Sequence, residues 1–390
     1  MVLTGVLVYL LFSALFVAST INLVTSIYFK KEEKHWEDYE PSVSVVIRSW
    51  NDGKVVERCI NNLLSQDYPK EKYEIVIADD GSQDNTERIC REYEKKGLIK
   101  YCRLPRHENF KAKVIDTAIK RHATGEIILE SDIDAIHTLN WIKEMVKPFS
   151  DKKVGGVSGI VVCGNWYRPS WIIKLRAIED FWQFCASLYG RYKLTKQGFL
   201  YGGSKAYLKG LWKEIGGHPT STMIEDGELA AKIIEKGYKI AIVKTPTMQE
   251  EVETLKQYIS ERKRWTGGDL ELAKNNQEFF FENPIEGIVT VANHGIDIVN
   301  GLAILLSFSN ILFLIPVLIN ALAIKICMND LKSKLSLYFW VLPYVFISPF
   351  LQLAAAILYF YDKTRKMVRW EKVWHYPTPL RWPIELKVIK

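Results

Sequence analysis

The sequence predicts an α/β domain built on a parallel, doubly wound sheet and attached to a membrane. Short apolar or β-branched runs alternate with helical segments between residues 41 and 162. This alternation is typical of parallel strands joined by right-handed helical crossovers. Polar turns follow several strands, at the edge where open α/β sheets bind ligands. Three long apolar runs, one near the N-terminus and two near the C-terminus, indicate helices that cross a bilayer.

Composition narrows the class of protein. The chain has 390 residues, too many for one ordinary core, and a net charge of +7. Anionic lipid head groups and positive-inside topology explain the basic excess, so we expect no nucleic-acid partner. The six cysteines include no Cys-x-x-Cys pair, which predicts reduced thiols in a cytosolic or membrane context.

The elements of the α/β domain follow from the alternation of apolar runs and amphipathic segments, and we place the whole domain at residues 40–275. The predicted strands are 44–47, 73–78, 99–102, 127–129 and 156–162. The predicted helices between them are 55–65, 85–96, 112–122 and 141–149.

The strand 127–129 is central, because it leads into two carboxylates one residue apart. Asp132 and Asp134 repel each other at the tip of a buried strand, so they need a partner. A hard divalent cation, Mg²⁺ or Mn²⁺, is the natural partner and keeps positions open for diphosphate oxygens. An acidic turn without a metal is the alternative interpretation. A second assignment, in which Glu130 and Asp132 are the acidic pair, also stays open.

Two further groups of residues carry chemistry that such a site needs. Glu225 and Asp226 open a helix, where the helix dipole favours carboxylates. Glu261 and Arg264 lie on one face of a later helix, and Trp265 follows directly. The alternative for the second group is a solvated, charged helical turn.

Two amphipathic segments are expected. Residues 171–189 repeat apolar side chains at spacings of three and four, with two tryptophans in the stripe. This stripe either packs in a core or contacts lipid. Residues 284–300 are apolar on one face and polar on the other, which predicts an interfacial helix lying flat on the bilayer.

Three membrane crossings are predicted at 1–29, 302–327 and 335–361, followed by a basic tail at 362–390. Lysines after the first run place that end in the cytoplasm. The expected protein is therefore a multi-pass protein of the cell membrane, with its N-terminus outside and the α/β domain and tail in the cytoplasm. A cleaved signal peptide is rejected because no basic region precedes the run. A fourth crossing at 288–306 is rejected because it would move the tail outside.

The ordered motifs between Pro41 and Gly268 resemble those of membrane-embedded family 2 glycosyltransferases. These are the hyaluronan-, chitin- and cellulose-synthase-like enzymes and the ceramide glucosyltransferase-like ones. The resemblance implies a GT-A (Rossmann-like) fold, a nucleotide-sugar donor and inversion at the anomeric carbon. It also implies Mg²⁺ or Mn²⁺ as the cofactor, with Asp132 and Asp134 as metal ligands.

The resemblance assigns roles to residues of this chain. Asp226 matches the position of the catalytic base, with Glu225 as the alternative. Trp265 is expected to stack on a sugar ring at the acceptor entrance, and packing between the catalytic domain and the interfacial helix is the alternative for it. The residues expected at the donor are Trp50, Asp52, Asp79, Asp80, Lys113, Asp132 and Arg264. The chain departs from the family at Glu261, where the family has Gln. This departure weakens the inference of processive polymer synthesis.

Several functions stay open at this point. The first is a metal-dependent, inverting hexosyltransferase that moves a sugar to a polysaccharide or a lipid-linked glycan, with a UDP-sugar favoured by family habit. The second is transfer of one sugar to a ceramide- or polyprenyl-phosphate-type lipid. Three helices make at best a narrow pore in a monomer, which favours lipid transfer or an oligomer. A non-catalytic membrane scaffold and a nucleotidyltransferase are alternatives from other classes, and the costly acidic set argues against the scaffold.

Overall fold

The computed structural model describes residues 2–29, 36–106, 111–220, 224–282, 304, 311–364 and 379–384. Within these ranges the centre of the molecule is an eight-stranded mixed sheet with the strand order β3-β2-β1-β4-β7-β6-β8-β5. The strands are β1 Val43–Ser49, β2 Tyr73–Asp79, β3 Lys100–Arg103, β4 Ile127–Ser131, β5 Ile136–His137, β6 Val154–Cys163, β7 Ser204–Leu208 and β8 Lys239–Gln249.

The predicted α/β class is confirmed, but the prediction that the sheet is parallel throughout is wrong. β3, β2, β1 and β4 are parallel neighbours, as expected. β7 then runs antiparallel to both β4 and β6, and β5 runs antiparallel to β8. A buried strand is apolar whichever way it runs, so the pattern of apolar residues does not reveal its direction.

Helices cover both faces of the sheet, and a group of longer helices lies beside it. The helices are α1 Val2–Phe29, α2 Val56–Leu64, α3 Thr86–Lys95, α4 Lys111–His122, α5 Trp141–Val146, α6 Trp171–Asp180, α7 Arg191–Thr195, α8 Lys209–Ile215, α9 Glu225–Glu235, α10 Leu255–Asn275, α11 Gln277–Glu282, α12 Leu314–Asp330, α13 Leu335–Tyr338 and α14 Val341–Thr364. A π-helical segment, Phe181–Gly190, joins α6 to α7. Single turns of 3₁₀-helix occur at Lys70–Lys72, Lys147–Ser150 and Ile311–Phe313.

The core has two parts, one on each face of the sheet. Val45 and Ile47 of β1 belong to the part that packs under α2, while Val46 belongs to the part that packs under α4. This separation follows from the alternation of side chains along a strand. β1, β2 and β4 are largely apolar on both faces, and polar turns follow their carboxyl ends at one edge of the sheet. All six cysteines lie in the described ranges, and each is a buried free thiol.

Two described helices, Ile311–Asp330 and Val341–Thr364, are long and apolar enough to cross a membrane. The first predicted crossing is helical as well, and α1 contacts α12 through Asn22, whose Nδ2 donates to Asn320 Oδ1 at 3.2 Å. This contact does not test whether α1 crosses a membrane, so three crossings stay a prediction. The predicted interfacial helix at 284–300 and most of the basic tail at 362–390 lie outside the described residues.

The amphipathic stripe predicted at 171–189 packs mainly in the protein interior. Leu175, Ile178 and Tyr189 are fully buried, and Trp182 is nearly so. Trp171, at the start of α6, is the exception and is 41% exposed. Of the two alternatives for this stripe, the structure therefore favours core packing over contact with lipid.

Candidate active site

The carboxyl ends of β1, β2 and β4 lie at the same level of the sheet. Ser49 at the end of β1 pairs with Asp79 at the end of β2, and Ile47 pairs with Ser131 at the end of β4. Polar turns that are far apart in sequence therefore meet at one edge, as expected for the binding edge of an α/β sheet.

Lys111 joins two of the predicted acidic residues at this edge. Its Nζ lies 3.0 Å from Asp132 Oδ1 and 3.7 Å from Glu225 Oε1. Gln249 at the end of β8 donates to the other oxygen of Asp132 at 3.0 Å. Asp132 directly follows β4 and Glu225 begins α9, so Lys111 joins these two elements. The pKa of Lys111 is raised, since these carboxylates outweigh the effect of burial.

Glu225 and Asp226 form the first turn of α9, as predicted, and their environments differ. Burial raises the pKa of Asp226, and the charge of Glu225 raises it further, against the opposing effect of Lys205. Burial opposes the charge of Glu225 too, but Lys111 and Lys205 outweigh it and lower the pKa of Glu225. Neighbouring carboxylates with pKa values pushed apart are typical of an acid–base site. Asp226 is therefore the stronger base of the two.

Asp80 lies in a cationic setting beside Trp50. Arg48 Nη2 is 2.6 Å from Asp80 Oδ2, and Arg106 also pairs with this carboxylate. The guanidinium carbon of Arg106 lies 3.7 Å from the centre of the Trp50 ring, a stacking distance. The predicted donor residues of these two turns are therefore brought together, with two arginines that sequence reasoning did not assign.

Asp52 and Asp79 hold the turns in which they lie. Asp52 Oδ2 accepts hydrogen bonds from the backbone N of Trp50 at 2.8 Å and from Ser49 Oγ at 3.2 Å. Asp79 Oδ1 accepts from the backbone N of Ser82 at 2.9 Å, and Tyr101 donates to its other oxygen. Both carboxylates are buried. These described contacts shape the edge of the site.

We expect Gly81→Ala to destabilise the turn after β2. Gly81 has φ +71°, and a Cβ there would lie 2.9 Å from the backbone N of Arg106. Gly97→Ala is the matched control, because Gly97 has φ +70° and no atom within 4 Å of its added Cβ. The left-handed conformation alone costs about 1–2 kcal/mol. Thermal unfolding should show a larger loss for Gly81→Ala, and equal losses in the two variants would contradict this.

The donor role expected of Lys113 stays a prediction. Lys113 lies on α4 with an exposed side chain, and Lys111 at the start of the same helix contacts Asp132 instead. Residues two apart on a helix point to nearly opposite sides, so the two lysines leave different faces of α4. Lys111 directly precedes the predicted helix 112–122, so the sequence pattern did not single it out.

The two carboxylates predicted to bind a metal have different described partners. Asp132 is 29% exposed, and Asp134 is buried, with its Oδ2 accepting from the backbone N of Glu250 at 2.9 Å. Asp132 fits as one ligand of Mg²⁺ or Mn²⁺, with water and diphosphate oxygens completing the shell. In the described ranges no group of three His, Cys, Asp or Glu side chains is arranged to hold a metal. Metal binding by Asp132 and Asp134 therefore stays a prediction that depends on the donor's own oxygens.

A buried charged network lies behind this acidic group, and sequence reasoning missed it. Lys205 Nζ is 3.2 Å from Glu130 Oε2, and His218 Nε2 is 2.9 Å from Glu130 Oε1. His218 Nδ1 is 2.5 Å from Asp116 Oδ1, and Tyr207 also donates to Glu130. In the sequence, the only signal of the pairing between Glu130 and Lys205 was that each is a charged residue inside an apolar strand, β4 or β7.

This network predicts that stability depends on pH. Burial opposes the charge of His218, but Glu130 and Asp116 outweigh it and raise the pKa of His218 from 6.5 to about 9. Protonated His218 therefore adds about 3 kcal/mol to the free energy of unfolding. This stabilisation is complete below pH 6.5 and is lost as pH rises through about 9. His218→Gln should flatten the pH dependence of unfolding over this window. His122→Gln changes a histidine outside the network and should keep the wild-type pH dependence of unfolding. Identical pH profiles for wild type and His218→Gln would contradict this prediction.

Arg264 and Trp265 lie on α10, on the side of the domain next to the long apolar helices. The guanidinium carbon of Arg262 is 3.7 Å from the centre of the Trp265 ring, and Tyr201 meets that ring edge to face at 6.4 Å. Arg264 is partly buried, and none of the ion pairs in the described part of the chain joins it to Asp132. Its place at the donor stays a prediction.

Comparison with known proteins supports the resemblance drawn from the motifs. The profile of Glycosyl transferase family 2 matches residues 44–216. The probable glycosyltransferase YdaM of Bacillus subtilis (strain 168) is 26% identical over 236 residues, covering 59% of this chain and 55% of that protein. The UDP-forming cellulose synthase catalytic subunit of Pseudomonas fluorescens (strain SBW25) is 26% identical over 273 residues, covering 67% and 34% respectively. The chain thus spans about half the length, or less, of these curated relatives.

A solved structure shares the fold. The mannosyltransferase PcManGT from Pyrobaculum calidifontis, in complex with GDP-Man and Mn²⁺, has a TM-score of 0.61 with this chain. The match is 19% identical and covers 91% of this chain and 98% of that one, so it supports the fold alone. Residues 44–216 of this chain are therefore similar to glycosyltransferase family 2.

Proposed function

We propose that this chain transfers a sugar, with inversion, from a nucleotide-sugar donor to a hydroxyl group presented at a membrane. The observation that carries this proposal is the joining of Asp132 and Glu225 by Lys111, with Asp226 next in the chain. Asp132 and Lys111 lie in the segment 44–216 that the family 2 profile matches. Such a site combines a cation for a phosphate leaving group with a carboxylate that can accept a proton.

The reaction is a single displacement. The acceptor oxygen forms a bond to the anomeric carbon as the bond from that carbon to the diphosphate oxygen breaks, and the electron pair leaves with the nucleoside diphosphate. Asp226 takes the proton of the acceptor hydroxyl, and Lys111 stabilises negative charge beside Asp132. Mg²⁺ or Mn²⁺, when bound at Asp132 with Asp134 nearby, would neutralise diphosphate charge. Trp50, Asp80 and their arginines are proposed to bind the nucleoside.

The acceptor is proposed to be a lipid or a lipid-linked glycan. Trp265 is proposed to stack on a sugar ring, and it lies on α10, which packs against the apolar helix α14. A Cβ added at Gly267 would collide with the ring of Tyr359 of α14. This closeness of the proposed acceptor residue to a helix able to cross a membrane favours an acceptor delivered from the bilayer.

Polysaccharide synthesis is the second candidate, and the similarity to a cellulose synthase subunit favours it. The replacement of the family Gln by Glu261 argues for single transfer instead. The proposed location is the cell membrane, with the catalytic domain and tail in the cytoplasm and three crossings. A UDP-sugar is the proposed donor.

Transfer to an extract of native membrane lipids tests the acceptor class. The purified full chain is incubated with radiolabelled nucleotide sugars and this extract, and the label is partitioned between water and organic solvent and then sized. One added sugar in the organic phase supports the lipid proposal, whereas a long product in the aqueous phase contradicts it and supports polymer synthesis. No incorporation with any donor would favour the non-catalytic scaffold.

A further inference from the structure

A buried ion cluster lies between the α/β domain and the apolar helix α14. It contains two arginines and four carboxylates, from α6, from the segment after β8 and from α10. Its members are Arg176, Glu179, Asp180, Glu251, Glu261 and Arg262. Each side chain is 12% exposed or less. Charged groups are rarely buried in such numbers without a defined arrangement of partners.

Glu179 is the centre of this cluster, because donors from three helices converge on it. Arg262 Nη1 of α10 donates to Glu179 Oε1 at 2.6 Å. Arg176 Nη1 of α6 donates to Oε2 at 3.1 Å, and the hydroxyl of Tyr258 donates to the same oxygen at 3.3 Å. Gln352 Nε2 of α14 donates to Oε1 at 3.2 Å. One carboxylate therefore links the catalytic domain to a helix able to cross a membrane.

Arg262 connects Glu179 to Trp265, because it contacts both side chains. Its guanidinium is held on one side by Glu179 and on the other by Glu261, whose Oε2 accepts from Nη2 at 2.8 Å. Two carboxylates fix the plane of the guanidinium, since its donors have a rigid, planar geometry. The Trp265 ring lies 3.7 Å from the guanidinium carbon, so its orientation depends on that plane.

Two carboxylates of the cluster, Asp180 and Glu251, favour the protonated form because they are buried. Asp180 is buried, and in the described ranges neither of its oxygens has a hydrogen-bond partner, although Arg176 Nη2 lies 3.3 Å from Oδ1. Burial raises the pKa of Asp180 to about 7 and also raises the pKa of Glu251. A proton held on these two groups leaves both arginines available to Glu179 and Glu261.

We propose that Glu179 is a positioning residue that sets the orientation of Trp265 through Arg262 and couples it to α14 through Gln352. This inference rests on the proposed role of Trp265 at the acceptor. The position of the acceptor-binding ring is then fixed by the docking of the catalytic domain on α14. An acceptor is bound well only when this junction is intact.

Glu179→Gln tests the coupling, because it keeps the shape of the side chain and removes its charge. We expect the half-saturating amount of native lipid extract to rise about tenfold, as in Trp265→Ala, while KM for the donor stays within about twofold. Gln352→Leu should raise the half-saturating amount of lipid extract less, because Arg262 keeps both of its carboxylate partners. Asp362→Asn is the matched control: it breaks an ion pair with Lys263 that also joins α14 to α10 but does not contact Trp265. It should leave both values unchanged.

The outcomes separate this inference from the proposed function. A double variant of Glu179→Gln and Trp265→Ala that is no worse than Trp265→Ala alone supports the coupling. If Trp265→Ala weakens acceptor use and Glu179→Gln does not, the inference is overturned and the proposed function still stands. Equal weakening by Asp362→Asn and Glu179→Gln overturns it as well. If Trp265→Ala has no effect on acceptor use, the acceptor role itself fails. Should Glu179→Gln not fold, unchanged acceptor use in Gln352→Leu overturns the inference.

Discussion

Replacement of Asp226 by Asn is expected to lower the turnover of sugar transfer by about 10²–10⁴-fold, the usual contribution of a general base. Asn keeps the size of the side chain and the Oδ1 that accepts from the backbone N of Gly227 at 3.0 Å, so the start of α9 should persist. What it loses is the capacity to take the acceptor proton. Because burial and Glu225 raise the pKa of Asp226, wild-type turnover should fall as pH decreases through that pKa.

Glu225→Gln is the control for the Asp226 variant. Glu225 contacts Lys111, and its lowered pKa makes it a weaker base, so this change should affect donor KM more than turnover. Donor affinity, measured by nucleotide binding, should be nearly unchanged in Asp226→Asn. Normal turnover in Asp226→Asn would remove it as the base, and loss of turnover only in Glu225→Gln would transfer the role to Glu225.

The second large effect is expected from Lys205→Met. Lys205 is fully buried, and its Nζ is 3.2 Å from Glu130. Removing one partner of a buried ion pair costs about 3–5 kcal/mol, and the lower end applies here because His218 still pairs with Glu130. The free energy of unfolding, from denaturant titration, measures the loss. Lys205 also lowers the pKa of Asp226, so the fall of turnover with decreasing pH should begin at higher pH in this variant.

Lys72→Met provides the matched comparison. Lys72 Nζ is 3.2 Å from Glu40, the same spacing as in the buried pair, but both side chains are at least 40% exposed. Such a surface pair contributes at most about 1 kcal/mol. Similar losses of stability in Lys72→Met and Lys205→Met would show that burial of Lys205 and Glu130 has no special effect.

The fold was predictable where local pattern determines structure. β1, β2 and β4 are short apolar runs ending in polar turns, and this pattern places Asp79 and Asp132 at one edge. The antiparallel direction of β7 was not predictable, because it depends on how the chain returns to pair with β4 after α6 and α7. Apolar content reports burial and says nothing about strand direction.

The site was predictable to the same extent. Carboxylates directly after strands or at a helix start, such as Asp132 and Asp226, are visible as local motifs. The choice of Lys111 over Lys113 depends on how α4 is rotated against the sheet, which tertiary packing decides. The pairing of Glu179 with Arg262 joins residues 83 positions apart, and no local pattern specifies it. Long-range ion pairs of this kind are therefore the part that only the structure supplies.

Release of nucleoside diphosphate from a panel of nucleotide sugars shows whether this chain transfers sugar with Asp226 as the base. The purified full chain is assayed with native lipid extract, with Mg²⁺, Mn²⁺ or a chelator, beside the Asp226→Asn variant. The account predicts release from one class of donor, dependent on the lipid extract and nearly absent in Asp226→Asn, with the chelator reporting whether Asp132 acts with a metal. No release from any donor, or equal release by wild type and Asp226→Asn, would contradict it.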